Sequence, residues 1–210
     1  MLRAFCTLSL LLPLSIPVLS AGEYNPVLDI GDKAPDWKKL PGVDGKEVGL
    51  ADLKKADVIV LVFTCNSCPY AVDYEERIIE FVDEHCGKDS GVRLVAVNVN
   101  KVEEDLPEAM KKRAKDQKFN FPYLFDETQK IAKDYGAGAT PEFFVLNRER
   151  KIVYMGAMDD DAEDATGVKH RWLEEAVAAA LKGKLPEVKE TVPIGCRIRF
   201  ERRRRTRSRD

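Results

Sequence analysis

One stretch decides the fold: Val58-Ile59-Val60-Leu61-Val62-Phe63-Thr64-Cys65-Asn66-Ser67-Cys68-Pro69. The run 58–62 is wholly apolar and mostly β-branched, which is typical of a strand buried on both faces. A helical pattern follows, with apolar side chains spaced to share one face: Tyr74, Ile78, Phe81 and Val82. Pro69 suits the first turn of that helix, where its missing N–H leaves no hydrogen bond unmade. The two cysteines therefore lie where a central strand meets a helix N-terminus.

Two cysteines separated by two residues at a helix N-terminus favour reversible disulfide chemistry. Backbone N–H groups and the helix dipole there stabilise a thiolate, which is the nucleophilic form of cysteine. A structural zinc site is an alternative, but it needs about four Cys or His ligands. The sequence has no second Cys-x-x-Cys pair, and His85 and His170 are isolated in it. A static disulfide is a second alternative, although so short a loop constrains the unfolded chain weakly. We predict a redox-active Cys65–Cys68 disulfide, without a metal or another cofactor.

The rest of the chain predicts one α/β domain with a mixed sheet. At 210 residues the chain has room for a single domain and a real core. Strand patterns recur at 92–99, 142–146 and 152–155, and helical patterns at 106–115, 129–135 and 172–181. Before the core, an Asp44-Gly45 turn suggests a short hairpin, and residues 50–53 suggest one helical turn.

The first twenty residues have the pattern of a secretory signal peptide. Arg3 precedes an apolar run over 4–19, and small residues offer a cleavage site near Ser20-Ala21. The run is shorter than the ~20 residues of a spanning helix, although an uncleaved membrane anchor is the alternative. We therefore expect an exported protein, periplasmic or extracellular, whose domain covers residues 21–196.

Residues 197–210 differ in character from the domain, with eight arginines against Glu201 and Asp210. A cationic segment beside an acidic body is able to bind an anionic surface, here through Arg202, Arg203, Arg204 and Arg205. The interpretation we favour is a disordered, solvated tail. Because the protein is expected to be exported, no nucleic-acid partner is expected.

Four motifs resemble the redoxin branch of the thioredoxin superfamily. They are Gly31-Asp32-Lys33-Ala34-Pro35-Asp36-Trp37, Phe63-Thr64-Cys65-Asn66-Ser67-Cys68-Pro69-Tyr70, Thr140-Pro141-Glu142-Phe143-Phe144 and Pro193-Ile194-Gly195-Cys196. That branch includes the alkyl hydroperoxide reductase/thiol-specific antioxidant proteins, the TlpA-like thiol-disulfide oxidoreductases and exported peroxiredoxin-like members. The resemblance covers roughly residues 28–196. It implies a thioredoxin-like three-layer α/β/α sandwich with a mixed central sheet and an N-terminal hairpin lead-in.

The same resemblance implies roles for individual residues. Cys65 would be the attacking thiol and Cys68 the resolving one. Pro141 would be a cis proline that faces the disulfide, and such bonds are uncommon. Thr140, before it, would offer its backbone to an extended substrate chain by strand addition.

Three function classes follow, and the first is favoured. The first is a thiol-disulfide oxidoreductase that acts on protein or small-molecule thiols, with an unidentified electron donor or acceptor. The second is a thiol peroxidase in which Cys68 attacks peroxide and Cys65 or Cys196 resolves it. However, that alignment puts Cys65 where peroxiredoxins have Thr, and Leu61 where they have Pro. The third is a copper carrier with two cysteines and a histidine, as Cu(I) prefers thiolate and imidazole.

The remaining cysteines leave more than one interpretation open. We expect Cys65 to be more exposed and more acidic than Cys68, which the first helical turn should shield. Cys86 ends the motif helix, about 27 Å from Cys68 at ~1.5 Å per residue. Cys196 is open to three roles: a buried inert thiol, a structural disulfide with Cys86, or a resolving cysteine. We favour a structural or inert Cys196 over a catalytic one.

Overall fold

A computed structural model describes residues 22–201. The predicted signal peptide, its cleavage site at Ser20-Ala21 and the Arg202–Arg205 cluster lie outside that range. In chain order the elements are β1 (Leu40–Pro41), β2 (Glu47–Val48), β3 (Val58–Phe63), α1 (Pro69–Asp73), α2 (Glu75–His85), β4 (Val92–Asn98), α3 (Pro107–Asp116), β5 (Tyr123–Phe125), α4 (Lys130–Tyr135), β6 (Ala139–Thr140), β7 (Glu142–Leu146), β8 (Ile152–Gly156), α5 (Trp172–Leu181) and β9 (Cys196–Arg197). Short 3-10 turns cover Leu50–Leu53 and Glu103–Asp105.

The central sheet is mixed and has β3 in its middle, as the sequence predicts. The strand order is β5-β4-β3-β7-β8. β4 runs parallel to β3 and to β5, whereas β7 is antiparallel to both β3 and β8. Every residue of β3 is fully buried, because the sheet is covered on both faces.

Alternation along β3 divides the core into two layers. Val58, Val60 and Val62 pack in one cluster with buried side chains of α2, α3 and α5. Ile59, Leu61 and Phe63 pack in the other with the N-terminal segment and α4. The result is the α/β/α sandwich expected of a thioredoxin-like fold, confirmed here by its topology.

Both edges of the sheet are covered by other parts of the chain. At the β5 edge, β1 and β2 form the predicted hairpin, in which Gly45 turns at φ 81°. The N–H of Val43 in that hairpin donates to Tyr123 O at 3.0 Å. At the β8 edge, Met155 N–H donates to Lys189 O and Met155 O accepts the N–H of Thr191, each at 3.0 Å. These contacts leave neither edge strand with a free row of donors.

The helix predicted after the cysteines is interrupted at Tyr74, which separates α1 from α2. The Tyr74 hydroxyl donates to Asp159 at 2.8 Å, and Arg77 donates to the same carboxylate at 2.7 Å. Both charged side chains are buried, so the pair is held by several hydrogen bonds rather than by water. This network fixes the cysteine-bearing helix against the loop that follows β8.

The domain extends beyond residue 196, where the sequence suggested that the tail begins. Arg197 is part of β9, and the buried Ile198 packs in the core beneath α4. Residues 197–201 therefore belong to the folded domain, because their backbone and side chains are docked on it. Within residues 22–201, no helix is both long and apolar enough to cross a bilayer.

Candidate active site

The Cys-x-x-Cys loop lies at the C-terminal end of β3, inside the molecule. Cys68 is the residue that precedes α1, and Pro69 occupies the first helical turn as predicted. All four cysteines within residues 22–201 are free thiols. Cys65 is 2 % exposed and Cys68 is 1 % exposed. Both residues are buried, so exposure does not separate them in the way that the expectation of a more exposed Cys65 assumed.

Asp105 holds the loop in place from the neighbouring segment. Its buried carboxylate accepts the N–H groups of Asn66 and Ser67 at 2.8 and 2.9 Å, and the Ser67 hydroxyl at 2.6 Å. Asn98 fixes Asp105 in turn by donating to its carbonyl at 2.6 Å. No pattern in the sequence indicated this role, because an acidic run at 103–105 is typical of a solvated surface.

Thr140, which precedes Pro141, contacts both sulfurs. The bond between Thr140 and Pro141 is cis. The Thr140 hydroxyl is 3.3 Å from Cys65 Sγ, and the Cys68 thiol donates to Thr140 O at 3.0 Å. One residue therefore contacts both members of the pair through different groups.

The backbone edge at Thr140 is not open to a substrate, because the chain's own β9 occupies it. β9 pairs antiparallel with β6, in a register that sets Cys196 opposite Thr140. Cys196 packs against the cluster formed by Cys65, Cys68 and Ala71. Cys196 is thus at the active-site end of the helical segment and not at the Cys86 end. This placement does not support the disulfide with Cys86, and both of these cysteines are free thiols. The choice between an inert and a resolving Cys196 stays a prediction.

The two motif thiols titrate as a pair that shares a proton. Their mutual hydrogen bond lowers the pKa of Cys68 to about 5, against the opposing effect of burial. The same hydrogen bond, followed by burial, raises the pKa of Cys65. The negative charge of Asp105 also disfavours a thiolate on Cys65. These opposite shifts favour a thiolate on Cys68, whereas the Thr140 carbonyl 3.0 Å from its sulfur disfavours a charge there. The expectation that Cys65 is the more acidic thiol stays a prediction.

Comparison with known proteins agrees with this geometry. The model of the AhpC/TSA family matches residues 30–155. The chain belongs to the AhpC/TSA family. It is 27 % identical over 128 residues to the thiol-disulfide oxidoreductase ResA of Bacillus thuringiensis, which covers 60 % of this chain and 68 % of that protein. It is also 28 % identical over 139 residues to a Mycobacterium tuberculosis protein assigned as a peroxiredoxin, which covers 59 % of this chain and 81 % of that one.

Among solved structures, the redoxin is similar to an uncharacterized conserved protein from Geobacillus kaustophilus. The two share 35 % identity with a TM-score of 0.77, over 84 % of this chain and 95 % of the other. The family match and the similarity to ResA together show that this redoxin is an oxidoreductase of the thioredoxin superfamily.

A buried carboxyl group follows the cis bond of this redoxin. Glu142 accepts the N–H groups of Gly138 and Ala139 at 2.8 and 3.0 Å, which fixes the loop that carries Thr140. Burial raises the pKa of Glu142 to about 7, although the two N–H donors lower it. The sequence did not single out Glu142, since its neighbours gave no sign of its burial.

The copper interpretation finds no cluster of ligands to support it. Within residues 22–201, no group of three or more His, Cys, Asp and Glu side chains is arranged to hold a metal ion. His170, the histidine considered for that role, stacks on the ring of Trp172 with a centroid distance of 6.0 Å.

Proposed function

We propose that this redoxin is an exported thiol-disulfide oxidoreductase that uses Cys65 and Cys68 as its dithiol/disulfide pair. One observation carries the proposal: the hydroxyl and the carbonyl of Thr140, the residue before a cis proline, contact the sulfurs of Cys65 and Cys68 at 3.3 and 3.0 Å. The similarity to ResA supports the same chemistry. Export rests on the signal-peptide pattern of residues 1–20.

The reaction consists of two successive thiol-disulfide exchanges, which pass two electrons from the Cys65–Cys68 dithiol to the substrate disulfide. The Cys68 thiolate attacks one sulfur of a substrate disulfide, and the other substrate sulfur leaves as a thiol. Cys65 then attacks Cys68 Sγ, which releases the second substrate thiol and leaves a Cys65–Cys68 disulfide. This order reverses the roles suggested by the resemblance, because Cys68 has the lower pKa of the two.

Thr140 is proposed to position the reacting pair. Its hydroxyl and carbonyl contact different sulfurs, so a shift of the loop at 138–141 would alter both. The contact of Arg202–Arg205 with an anionic surface stays a prediction.

The test is reduction of a protein disulfide, such as that of insulin, with dithiothreitol as the electron donor. Cys68→Ser should lower the catalysed rate to the uncatalysed background, because the attacking sulfur is gone. Cys86→Ser is the matched control and should keep the wild-type rate, since Cys86 lies at the far end of α2. A Cys68→Ser variant with the wild-type rate would overturn the proposal.

Thiol peroxidase activity is the second candidate, favoured by the lowered pKa of Cys68 and by the mycobacterial relative. Against it, no cationic side chain in the described part of the chain hydrogen-bonds to the Cys68 sulfur, so nothing there stabilises a departing hydroxide. Peroxide consumption by the same reduced variants separates the two activities. Consumption faster than insulin reduction, and dependent on Cys68, would favour the peroxidase.

A further inference from the structure

The segment 194–201, here called the C-terminal strap, is hydrogen-bonded to three other parts of the chain. Ile198 N–H donates to Gly138 O at 2.9 Å. Arg199 N–H donates to Asn100 at 2.9 Å. Further along, Glu201 N–H donates to Gln129 at 2.8 Å. Ile198 is also buried in the core. The strap is therefore held in one place by backbone bonds and by an apolar anchor, rather than lying loosely on the surface.

The strap lies on the domain as a substrate strand would. Cys196 and Thr140 are opposite each other in the β6–β9 ladder, and Thr140 belongs to the residue pair beside the sulfurs. Gly195 makes this approach possible, because a Cβ there would lie 2.2 Å from Thr140 O. Strand addition at an exposed backbone edge is a common way to bind an extended peptide. Here the peptide is part of the same chain.

This placement brings a third thiol to the buried pair. Cys196 packs against the small cluster of Cys65, Cys68 and Ala71. Cα atoms of α1, which begins directly after Cys68, approach those of β9 within 8 Å. A disulfide needs Cα atoms within ~7 Å, so a Cys68–Cys196 bond requires these two residues to come that close. Cys196 is half-buried, whereas the motif sulfurs are covered.

We infer that Cys196 is a third redox-active cysteine, which exchanges with the Cys65–Cys68 disulfide to form a Cys68–Cys196 disulfide. The inference rests on the proposed function, which supplies the oxidised pair. In this step Cys196 Sγ attacks Cys68 Sγ, the Cys68–Cys196 bond forms and the Cys65–Cys68 bond breaks. Cys65 leaves as a thiolate and takes the proton that Cys196 lost, so no external oxidant is needed.

The exchange moves the disulfide from a covered position to one nearer the surface. Cys65 and Cys68 are 2 % and 1 % exposed, so a substrate reaches either sulfur directly only when part of the covering chain moves, as the direct exchange of the proposed function also requires. A Cys68–Cys196 bond places one of the bonded sulfurs on the strap, where a partner thiol is able to approach it. The strap therefore acts as an intramolecular substrate of the buried pair, and its thiol passes the disulfide on to a partner thiol.

The test uses Cys65→Ser with oxidised glutathione, in a Cys86→Ser background that removes the remote thiol. The Cys68 thiolate should first take up one glutathione, and Cys196 should then expel it. Intact-mass measurement should show a loss of about 2 Da and no adduct, since a disulfide has two hydrogens fewer than two thiols. Peptide mapping should identify the Cys68–Cys196 bridge.

Two further variants keep the test decisive. Adding Cys196→Ser removes the third thiol but leaves the strap, so the glutathione adduct at Cys68 should persist. Adding Gly195→Val instead prevents docking of the strap, and release of glutathione should slow by about tenfold or more, because Cys196 is no longer held beside Cys68.

The outcomes separate the inference from the proposed function. A stable adduct in Cys65→Ser, with Cys196 present, would overturn the role of Cys196 while leaving Cys68 reactive. Failure of the Cys65→Ser/Cys196→Ser protein to form an adduct would count against Cys68 as the attacking thiol, and hence against the proposed function. Absence of both adduct and bridge in Cys65→Ser would overturn both.

Discussion

Cys68 and Cys86 lie at the two ends of the same helical segment, and their thiols behave in opposite ways. Cys68 precedes α1 and Cys86 follows α2. Burial opposes ionisation at both. At Cys86 burial dominates and raises the pKa to about 11. At Cys68 a hydrogen bond from Cys65 outweighs burial and lowers the pKa to about 5.

The difference teaches that a covered thiol is made reactive by its hydrogen-bond donors. Cys86 has the cation Arg93 nearby, and that charge does not overcome burial. Cys68 has other thiols on both sides, Cys65 and Cys196, whose protons are available to a thiolate. Proximity to another thiol therefore matters more here than the position of a cysteine along the helix.

Thiolate titration gives the largest expected contrast between the two ends. In reduced protein, absorbance at 240 nm should show a step near pH 5 from Cys68. At pH 7 such a pKa gives about 100 thiolates per thiol, whereas a pKa near 11 gives about one thiolate in 10,000 molecules. Cys65→Ser should move the low step to higher pH, because it removes the main donor. A low step that survives Cys68→Ser would assign the thiolate to another sulfur.

Replacing Asp105 by alanine should destabilise the loop at the Cys68 end of the helical segment and leave the Cys86 end unchanged. Asp105→Ala leaves the buried N–H groups of Asn66 and Ser67 without their acceptor. The free energy of unfolding should fall by about 3 kcal/mol, measured by urea denaturation. Protein disulfide reduction should fall with it, because the loop loses its anchor. Asp116→Ala, at an exposed ion pair, is the control and should have no measurable effect. Equal stability of both variants would contradict the assigned role of Asp105.

The pKa of Glu142 tests whether burial also controls the ionisation of a group beside the active site. Its pKa in the folded protein is about 7, against a usual 4.5. The folded state therefore binds a proton that the unfolded state releases, so this stabilisation is present below pH 4.5 and lost as pH rises through 7. Relative to Glu142→Gln, wild-type unfolding free energy should decline by about 3 kcal/mol across that window. Glu149→Gln, on the exposed β7–β8 turn, should leave the pH profile unchanged, and a flat difference for Glu142 would refute its protonation.

Local patterns were enough to predict most of the fold. The apolar run before Cys65, the Asp44-Gly45 turn and the strand after Pro141 each carry their signal in neighbouring residues, and each is where it was expected. The break at Tyr74 was not predictable, because it follows from the ion pair between Arg77 and Asp159, distant in sequence.

The site was predicted only as far as its motif residues. Thr140 contacts the sulfurs of Cys65 and Cys68, and the bond to Pro141 is cis. The catalytic and substrate-binding roles of these four residues stay predictions. The contacts that set their chemistry come from remote segments: Asp105 lies 38 or 39 residues from the loop residues it binds, and β9 reaches Thr140 from 56 residues away. No spacing rule connects such positions. The relative acidity of the two thiols depends on those contacts, so the motif residues alone do not determine it.

The covered edges of the sheet bear on how the protein behaves at high concentration. An open edge strand is a template on which other molecules add strands and aggregate. Here the hairpin residue Val43 covers β5, and the segment at 189–191 covers β8. The second cover lies just before the strap, so a chain shortened ahead of residue 189 would lose its third thiol and also expose β8. We expect such a chain to precipitate, whatever its redox state.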